Sequence, residues 1–196
     1  MNNRTLLLLF FILCNLPLQC TEKILMVIAH NGFQPLEYSA PKQLLQKAGY
    51  TVETASDKSG TARAAYTNLT THVDVTLENV QPEEYKAILF VGGPGCLGHL
   101  DNSLSYAIIK KAYEKNILIG AICLAPRILA ASGILSGKKA TGWDGDNNLA
   151  KIFASHDVHY IRNKKVVVDN NIITATDPTA AAAFGKAIIQ ALKKGK

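Results

Sequence analysis

The sequence predicts an α/β sandwich on a mainly parallel sheet, and three observations carry that expectation. Short apolar runs, suited to strands buried on both faces, alternate with longer stretches of helical periodicity. The runs stop abruptly at polar or glycine-bearing segments that begin with His30, Gly92 and Cys123. At 196 residues the chain has room for one domain with a sizeable core. Helices then cover both faces of the sheet, and sites form at the carboxyl ends of its strands.

Residues 23–29 (Lys-Ile-Leu-Met-Val-Ile-Ala) form the first apolar run. A helix is expected over 35–48, because Pro35 suits a first turn and Gly49 a helix end. Residues 51–55 read as the second strand. Residues 57–80 are polar, carry Gly60 and an Asn68-Leu-Thr70 sequon, and are expected to be loop with short strands. Residues 87–91 form a third buried strand, closed by Gly92-Gly-Pro-Gly95. An amphipathic helix over 104–116 leads to a fourth strand over 117–122 and, past Cys123, to a helix over 124–132. Residues 165–175 read as a hairpin turning at Asp169-Asn-Asn171, and an amphipathic helix over 179–194 closes the fold.

The first 20 residues stand apart. Met1-Asn-Asn-Arg4 is a polar start with one positive charge, and Leu6 to Cys14 is unbroken apolar sequence. That run is far shorter than the roughly 20 residues of a membrane span and fits a signal-peptide core. The expected organisation is a signal peptide over 1–20 and a single domain over 21–196, in a periplasmic or secreted protein. Lipidation at Cys20 is the alternative, against which stands the large Gln19 before it; an uncleaved anchor is a further one. Membrane association is expected only in those two cases.

Hydrophobic residues make up 48% of the chain and charged ones 18%, which excludes a disordered polymer. The net charge is +6, but the basic residues are scattered, densest at Lys193-Lys-Gly-Lys196, with no basic stripe interleaved with aromatics. No nucleic-acid partner is expected. Of four cysteines, Cys14 and Cys20 fall in the signal segment, and two remain, too few for a disulfide scaffold. The five histidines (His30, His72, His99, His156 and His159) show no zinc-ligand spacing, so no metal is expected.

Cys123 is the leading candidate for chemistry. It sits where an apolar run meets a helical one, which is how a strand-to-helix elbow reads. Helix N-terminal N–H groups lower a thiol pKa; the plain alternative is a small buried cysteine in a βα turn. Glu37, in the first turn of the first helix, suits either the helix dipole or proton transfer beside the thiol. Gly93 is placed to pair its N–H with that of Leu124 as an oxyanion site, although Gly92-Gly93 also reads as a tight turn. No Gly-Lys-Ser/Thr follows these glycines, which argues against a phosphate loop. His30, following the first strand, is a candidate pocket residue. Cys96 reads either as turn packing or as a disulfide partner for Cys123.

Taken jointly, Glu37-Tyr-Ser-Ala-Pro41, Val91-Gly-Gly-Pro-Gly95 and Ala121-Ile-Cys-Leu-Ala-Pro126 stand in the order and spacing of the ThiJ/PfpI family. So do the segment from Ile128 to Thr141 and Asp177-Pro-Thr-Ala-Ala, and the resemblance spans about residues 22–192. This is the family of the parkinsonism-associated protein deglycase and the PfpI-type intracellular proteases, close to class I glutamine amidotransferase domains. The resemblance implies a flavodoxin-like three-layer sandwich with a nucleophile elbow at Cys123. It implies Cys123 as nucleophile or oxidation-sensing thiol, Glu37 as a protonated partner acid, and Gly93 and Leu124 as backbone donors. It also implies no cofactor and a homodimer or larger homo-oligomer.

Two departures bear on activity. Leu124 and Trp143 stand where hydrolytic members carry histidine, so peptidase chemistry lacks its base. Gly92, Trp143 and Asp144 join His30 as expected pocket lining. The expectation is 2-oxoaldehyde chemistry of glyoxalase or deglycase type, on a small aldehyde or a glycated protein, or a response to oxidative stress. The alternatives are a PfpI-type peptidase or amidase, and a non-catalytic stress-protection or partner-binding module.

Overall fold

The first apolar run becomes β1 (Lys23–Ile28), in which every residue after Lys23 is buried. The computed structural model describes residues 22–194, so the expected signal segment lies outside the described residues. After β1 come β2 (Asn31–Phe33), α1 (Pro35–Lys47), β3 (Thr51–Ser56), β4 (Gly60–Ala64), β5 (Thr70–Val73) and β6 (Val75–Thr76). The middle of the chain holds β7 (Tyr85–Phe90), α2 (Cys96–Leu100), α3 (Ser103–Glu114), β8 (Leu118–Ile122) and α4 (Pro126–Ala131). The last part is β9 (Lys139–Ala140), α5 (Leu149–Ser155), β10 (His159–Tyr160), β11 (Val166–Asp169), β12 (Ile172–Ala175) and α6 (Ala181–Lys194).

Seven strands form the main sheet in the order β11-β12-β8-β7-β1-β3-β6. Neighbours run parallel except β11, which is antiparallel to β12 across the hairpin. The chain leaves β1 for β3 on one side and returns to β7 on the other. The order therefore reverses between β1 and β7, and a crevice opens at the carboxyl ends there.

Strand residues alternate between two core clusters. Leu25, Val27, Ile88, Phe90 and Ile119 belong to one, and Ile24, Met26, Ile28, Leu89 and Ile122 to the other. Period-two alternation puts these sets on opposite faces. α3 and α4 cover the first face. α1 and α6 cover the second and pack on each other. This is the expected three-layer sandwich.

The structure refines the sequence reading in three places. The helix expected from Leu124 starts only at Pro126, because residues 123–125 make the turn of the elbow. The polar stretch 57–80 does contain short strands, and β2, β4 and β5 build a separate small sheet. β9, α5 and β10, between residues 139 and 160, fall in a stretch to which the sequence assigned no element.

Candidate active site

The elbow is sharply bent. Cys123 has φ of 65°, a left-handed conformation that costs a non-glycine residue about 1–3 kcal/mol. It is fixed on both sides of the peptide: its N–H donates to the Ala175 carbonyl at 3.0 Å, and its carbonyl accepts from Trp143 N–H at 2.8 Å. The N–H groups of Gly93 and Leu124 hydrogen-bond the sulfur. The two N–H groups expected as oxyanion donors therefore lie beside the sulfur.

Glu37 reaches the same point from the far side of β7. Gln34 caps α1 by accepting the N–H of Leu36 at 2.6 Å and of Glu37 at 3.0 Å, and Pro35 follows where no donor is needed. The Glu37 side chain is wholly buried. Its Oε2 accepts the Gly92 N–H at 3.1 Å, and its carboxyl hydrogen-bonds the Cys123 thiol. Oε1 finds no nitrogen or oxygen partner. Gly92 is what lets these groups meet: a Cβ there would lie 2.5 Å from Cys123 Cβ and 2.7 Å from Glu37 Oε2. Gly93, at φ of 115°, has backbone of the segment before α1 pressed against the place a Cβ would take.

Burial is the main force on both titrating groups. It raises Glu37 from an ordinary 4.5 to about 7; the bonds from Cys123 and Gly92 oppose it, and the Asp177 charge adds to it. The thiol is pushed up to about 12, first by burial and then by the charge and acceptor of Glu37, while Gly93 and Leu124 pull it down. This corrects the expectation of a thiol made acidic by its helix: α4 begins three residues later and is six residues long, and burial with Glu37 outweighs the two N–H groups. Above about 7 the pair holds one negative charge, on the Glu37 carboxylate, and that charge opposes ionisation of the thiol. When Glu37 takes up a proton, both of its contributions to the high thiol pKa disappear. Oε2 is already occupied by Gly92, which leaves Oε1 free to carry that proton.

The other expected pocket residues are dispersed. His30 turns its Nδ1 to the Lys58 carbonyl at 3.2 Å. The Asp144 carboxylate accepts Leu149 N–H at 2.8 Å and Tyr160 hydroxyl at 3.3 Å, so it fastens the start of α5. Trp143 is half-buried and packs on the cluster that includes Cys123. Cys96 is fully buried in the opposite cluster and unpaired, and burial raises its thiol well above the ordinary value. It fills the first turn of α2, as the turn-packing reading expects. Among the described residues no cluster has the makings of a metal site. A cavity of about 330 Å³, lined by Glu22, Lys86, Asn116 and Leu192 among others, lies at the amino ends of the strands, the opposite pole from Cys123. Cys123 is 7% exposed. Sequence reasoning passed over Arg127 and Asp146, which form a bidentate ion pair beside the elbow at 2.7 and 2.9 Å. The available signal was one arginine inside the apolar run Leu124-Ala-Pro-Arg-Ile-Leu-Ala130.

Comparisons with known proteins bear on the fold and the family. The chain is 35% identical over 173 residues to an uncharacterised protein of Methanocaldococcus jannaschii, covering 88% of this chain and 83% of that one. A ThiJ/PfpI domain protein from Brachyspira murdochii superposes with a TM-score of 0.83 at 28% identity, over 89% of this chain and 98% of that one. Drosophila melanogaster DJ-1beta gives 0.75 at 25% identity, over 89% and 97%. Residues 22–191 match the DJ-1/PfpI family, and the chain belongs to that family.

Proposed function

We propose that Cys123 is a nucleophile toward small 2-oxoaldehydes and that Glu37 is its proton carrier, in a reaction that needs no cofactor. The observation that carries this reading is the enclosed Glu37–Cys123 pair, with the carboxyl near 7 and two N–H groups on the sulfur. The thiol adds to the aldehyde carbon of methylglyoxal, and its proton passes to the carbonyl oxygen, giving a hemithioacetal. Ionised Glu37 takes that carbon's hydrogen as a proton and returns it to the adjacent carbon, while the hydroxyl proton passes to the former ketone oxygen through the enediol. The adduct becomes the thioester of a 2-hydroxy acid, with no net oxidation. Water then releases the hydroxy acid and restores the thiol. A base that titrates near neutral pH suits both halves of that transfer. The same addition reaches glyoxal adducts on protein amines, the deglycase form of the activity. Without a histidine the turnover is expected to be slow, since one positioned acid–base group contributes about 10² to 10⁴-fold. The test is methylglyoxal consumption and lactate formation by purified protein and by Cys123→Ala; equal rates in both sink the reading.

A second reading is favoured by the unpartnered Oε1 of Glu37. Peroxide oxidises the thiolate to sulfenate and then to sulfinate, each step reducing one peroxide to water, and protonated Glu37 hydrogen-bonds the new oxygens. Mass spectrometry after graded peroxide checks it; an unmodified Cys123 in the folded protein, at peroxide that oxidises it in the urea-unfolded protein, counts against it. Peptidase or amidase chemistry ranks lower, for want of a base at 124 or 143, and a non-catalytic module is what remains if every assay fails. Export is part of the proposal, supported by the Arg4 start and the apolar run to Cys14, with release by cleavage preferred to lipidation at Cys20. The mass of the mature protein from its host tests that. A homodimer or larger assembly is proposed too, for which exposed Leu36 and Tyr66 offer apolar surface; sedimentation velocity decides it.

A further inference from the structure

The strap over residues 141–148 has more fixings than a connection needs. Thr141 N–H donates to Thr174 Oγ1 at 2.9 Å, Trp143 N–H to the Cys123 carbonyl at 2.8 Å, and Leu149 N–H to Asp144 Oδ1 at 2.8 Å. Its outer half is held from α4. The Arg127 guanidinium makes two bonds to the Asp146 carboxylate, at 2.9 and 2.7 Å, and a third to the Trp143 carbonyl at 3.3 Å. The same guanidinium lies 5.8 Å from the Trp143 ring centroid. On the strap itself, a Cβ at Gly145 would run into the indole. The ring is therefore confined between the guanidinium and the strap's own backbone.

Stability is a poor explanation for this arrangement. Arg127 is 8% exposed, and its Nε has no partner. Its partner Asp146 is exposed, and an ion pair open to solvent on one side adds little to stability, so its gain lies in fixing a geometry. Here the geometry fixed is that of Trp143, which packs on the cluster containing the nearly enclosed Cys123.

We propose that Arg127 is a positioning residue: with Asp146 it latches Trp143 beside the elbow, and the latched indole restricts the thiol to electrophiles of two or three carbons. Unbranched 2-oxoaldehydes pass, while aryl and peptide-sized electrophiles do not. The inference rests on Cys123 being the reacting thiol. Its test reads alkylation instead of turnover, so the latch can fail while the aldehyde chemistry stands, and the reverse.

Full-length protein, Arg127→Met and Asp146→Asn are each treated with iodoacetamide, a small reagent, and N-phenylmaleimide, a bulky one. Labelling at Cys123 is followed by peptide mass mapping. Trp143 is the sole tryptophan of the chain, so acrylamide quenching of its emission follows the strap directly. In both variants the N-phenylmaleimide rate is expected to rise about tenfold, the equivalent of one charge-assisted hydrogen bond, with the iodoacetamide rate little changed and quenching increased. Equal rises for both reagents overturn the size filter, as does greater quenching with unchanged selectivity. Unchanged quenching and rates in both variants overturn the latch. Failure of iodoacetamide to label Cys123 in any of the three proteins overturns the latch and the thiol reading together. Methylglyoxal turnover that survives Cys123→Ala sinks the aldehyde chemistry alone.

Discussion

Replacing Glu37 by glutamine keeps the size of the side chain and removes its titration, and the expected consequence is a change in how stability depends on pH. Glu37 is wholly buried and titrates near 7, against an ordinary 4.5. Below 4.5 the carboxyl is protonated in both folded and unfolded chains. Between 4.5 and 7 the folded chain keeps a proton that the unfolded chain has released. The folded state then binds more protons, so stability falls as pH rises. Above 7 both states are ionised and the loss is complete. That interval amounts to about 3 kcal/mol. Asp57, Glu53 and Asp177 work the other way: burial raises them, but their hydrogen bonds outweigh it and hold them below their ordinary values. The contribution of Asp57 and Glu53 is lost on acidification in wild type and variant alike and cancels in the difference, while the Asp177 charge enters it through Glu37. The assay is urea unfolding of both proteins at a series of pH values across this range. The variant should gain on wild type by about 3 kcal/mol as pH rises through it. A difference independent of pH refutes the enclosed-acid account. A difference of the opposite sign means that Glu37 is held charged and paired.

The same substitution should speed alkylation of Cys123 above pH 7, because the ionised neighbour that helps hold the thiol up to about 12 is gone; iodoacetamide kinetics against pH measure it. Gly92→Ala puts a methyl group 2.5 Å from Cys123 Cβ and 2.9 Å from the Ile122 carbonyl oxygen. It should cost about 1–3 kcal/mol in urea unfolding and separate the carboxyl from the thiol, flattening the Glu37-dependent slope. Asp144→Ala removes the acceptor for Leu149 N–H at the start of α5 and should cost about 1 kcal/mol, read as a lowered thermal midpoint.

How legible these features were in the sequence depended on whether their signal was local. The hairpin over 165–175 was legible because two apolar runs flank consecutive asparagines, and Val166 to Ala175 pairs in that register. β1, β7 and β8 were legible because strands buried on both faces are continuously apolar. α5 escaped notice because it is seven residues long and buries only Leu149 and Phe153, too few for a visible period. The site divides in the same way. Cys123, Gly92 and Gly93 announce themselves at strand ends. Glu37 alone looked like a helix-dipole carboxylate, and only the sheet order, with β7 between β1 and β8, brings it to the sulfur. Arg127 and Asp146 are 19 positions apart, and nothing in either neighbourhood marks them as partners.

What the thiol can do follows from which proton carriers surround it. Cleaving a peptide requires a proton for the departing amine, and cysteine hydrolases assign it to a histidine beside the nucleophile. Leu124, next to Cys123, packs against both core clusters, so an imidazole there would enter an apolar site. The imidazoles that follow β1 and β7 are engaged elsewhere: His30 faces the Lys58 carbonyl, and His99 Nδ1 pairs with Asp57 at 2.7 Å. On the proposed chemistry Glu37 is the carrier, enclosed against the sulfur and cut off from bulk water. A proton taken from one carbon of a bound adduct and returned to the next needs only one such group, and enclosure keeps the proton from exchanging away between the two steps. The feature that makes this pair a poor hydrolase, a single sealed carboxyl with no second base, is the one that suits it to isomerising a small adduct held on sulfur.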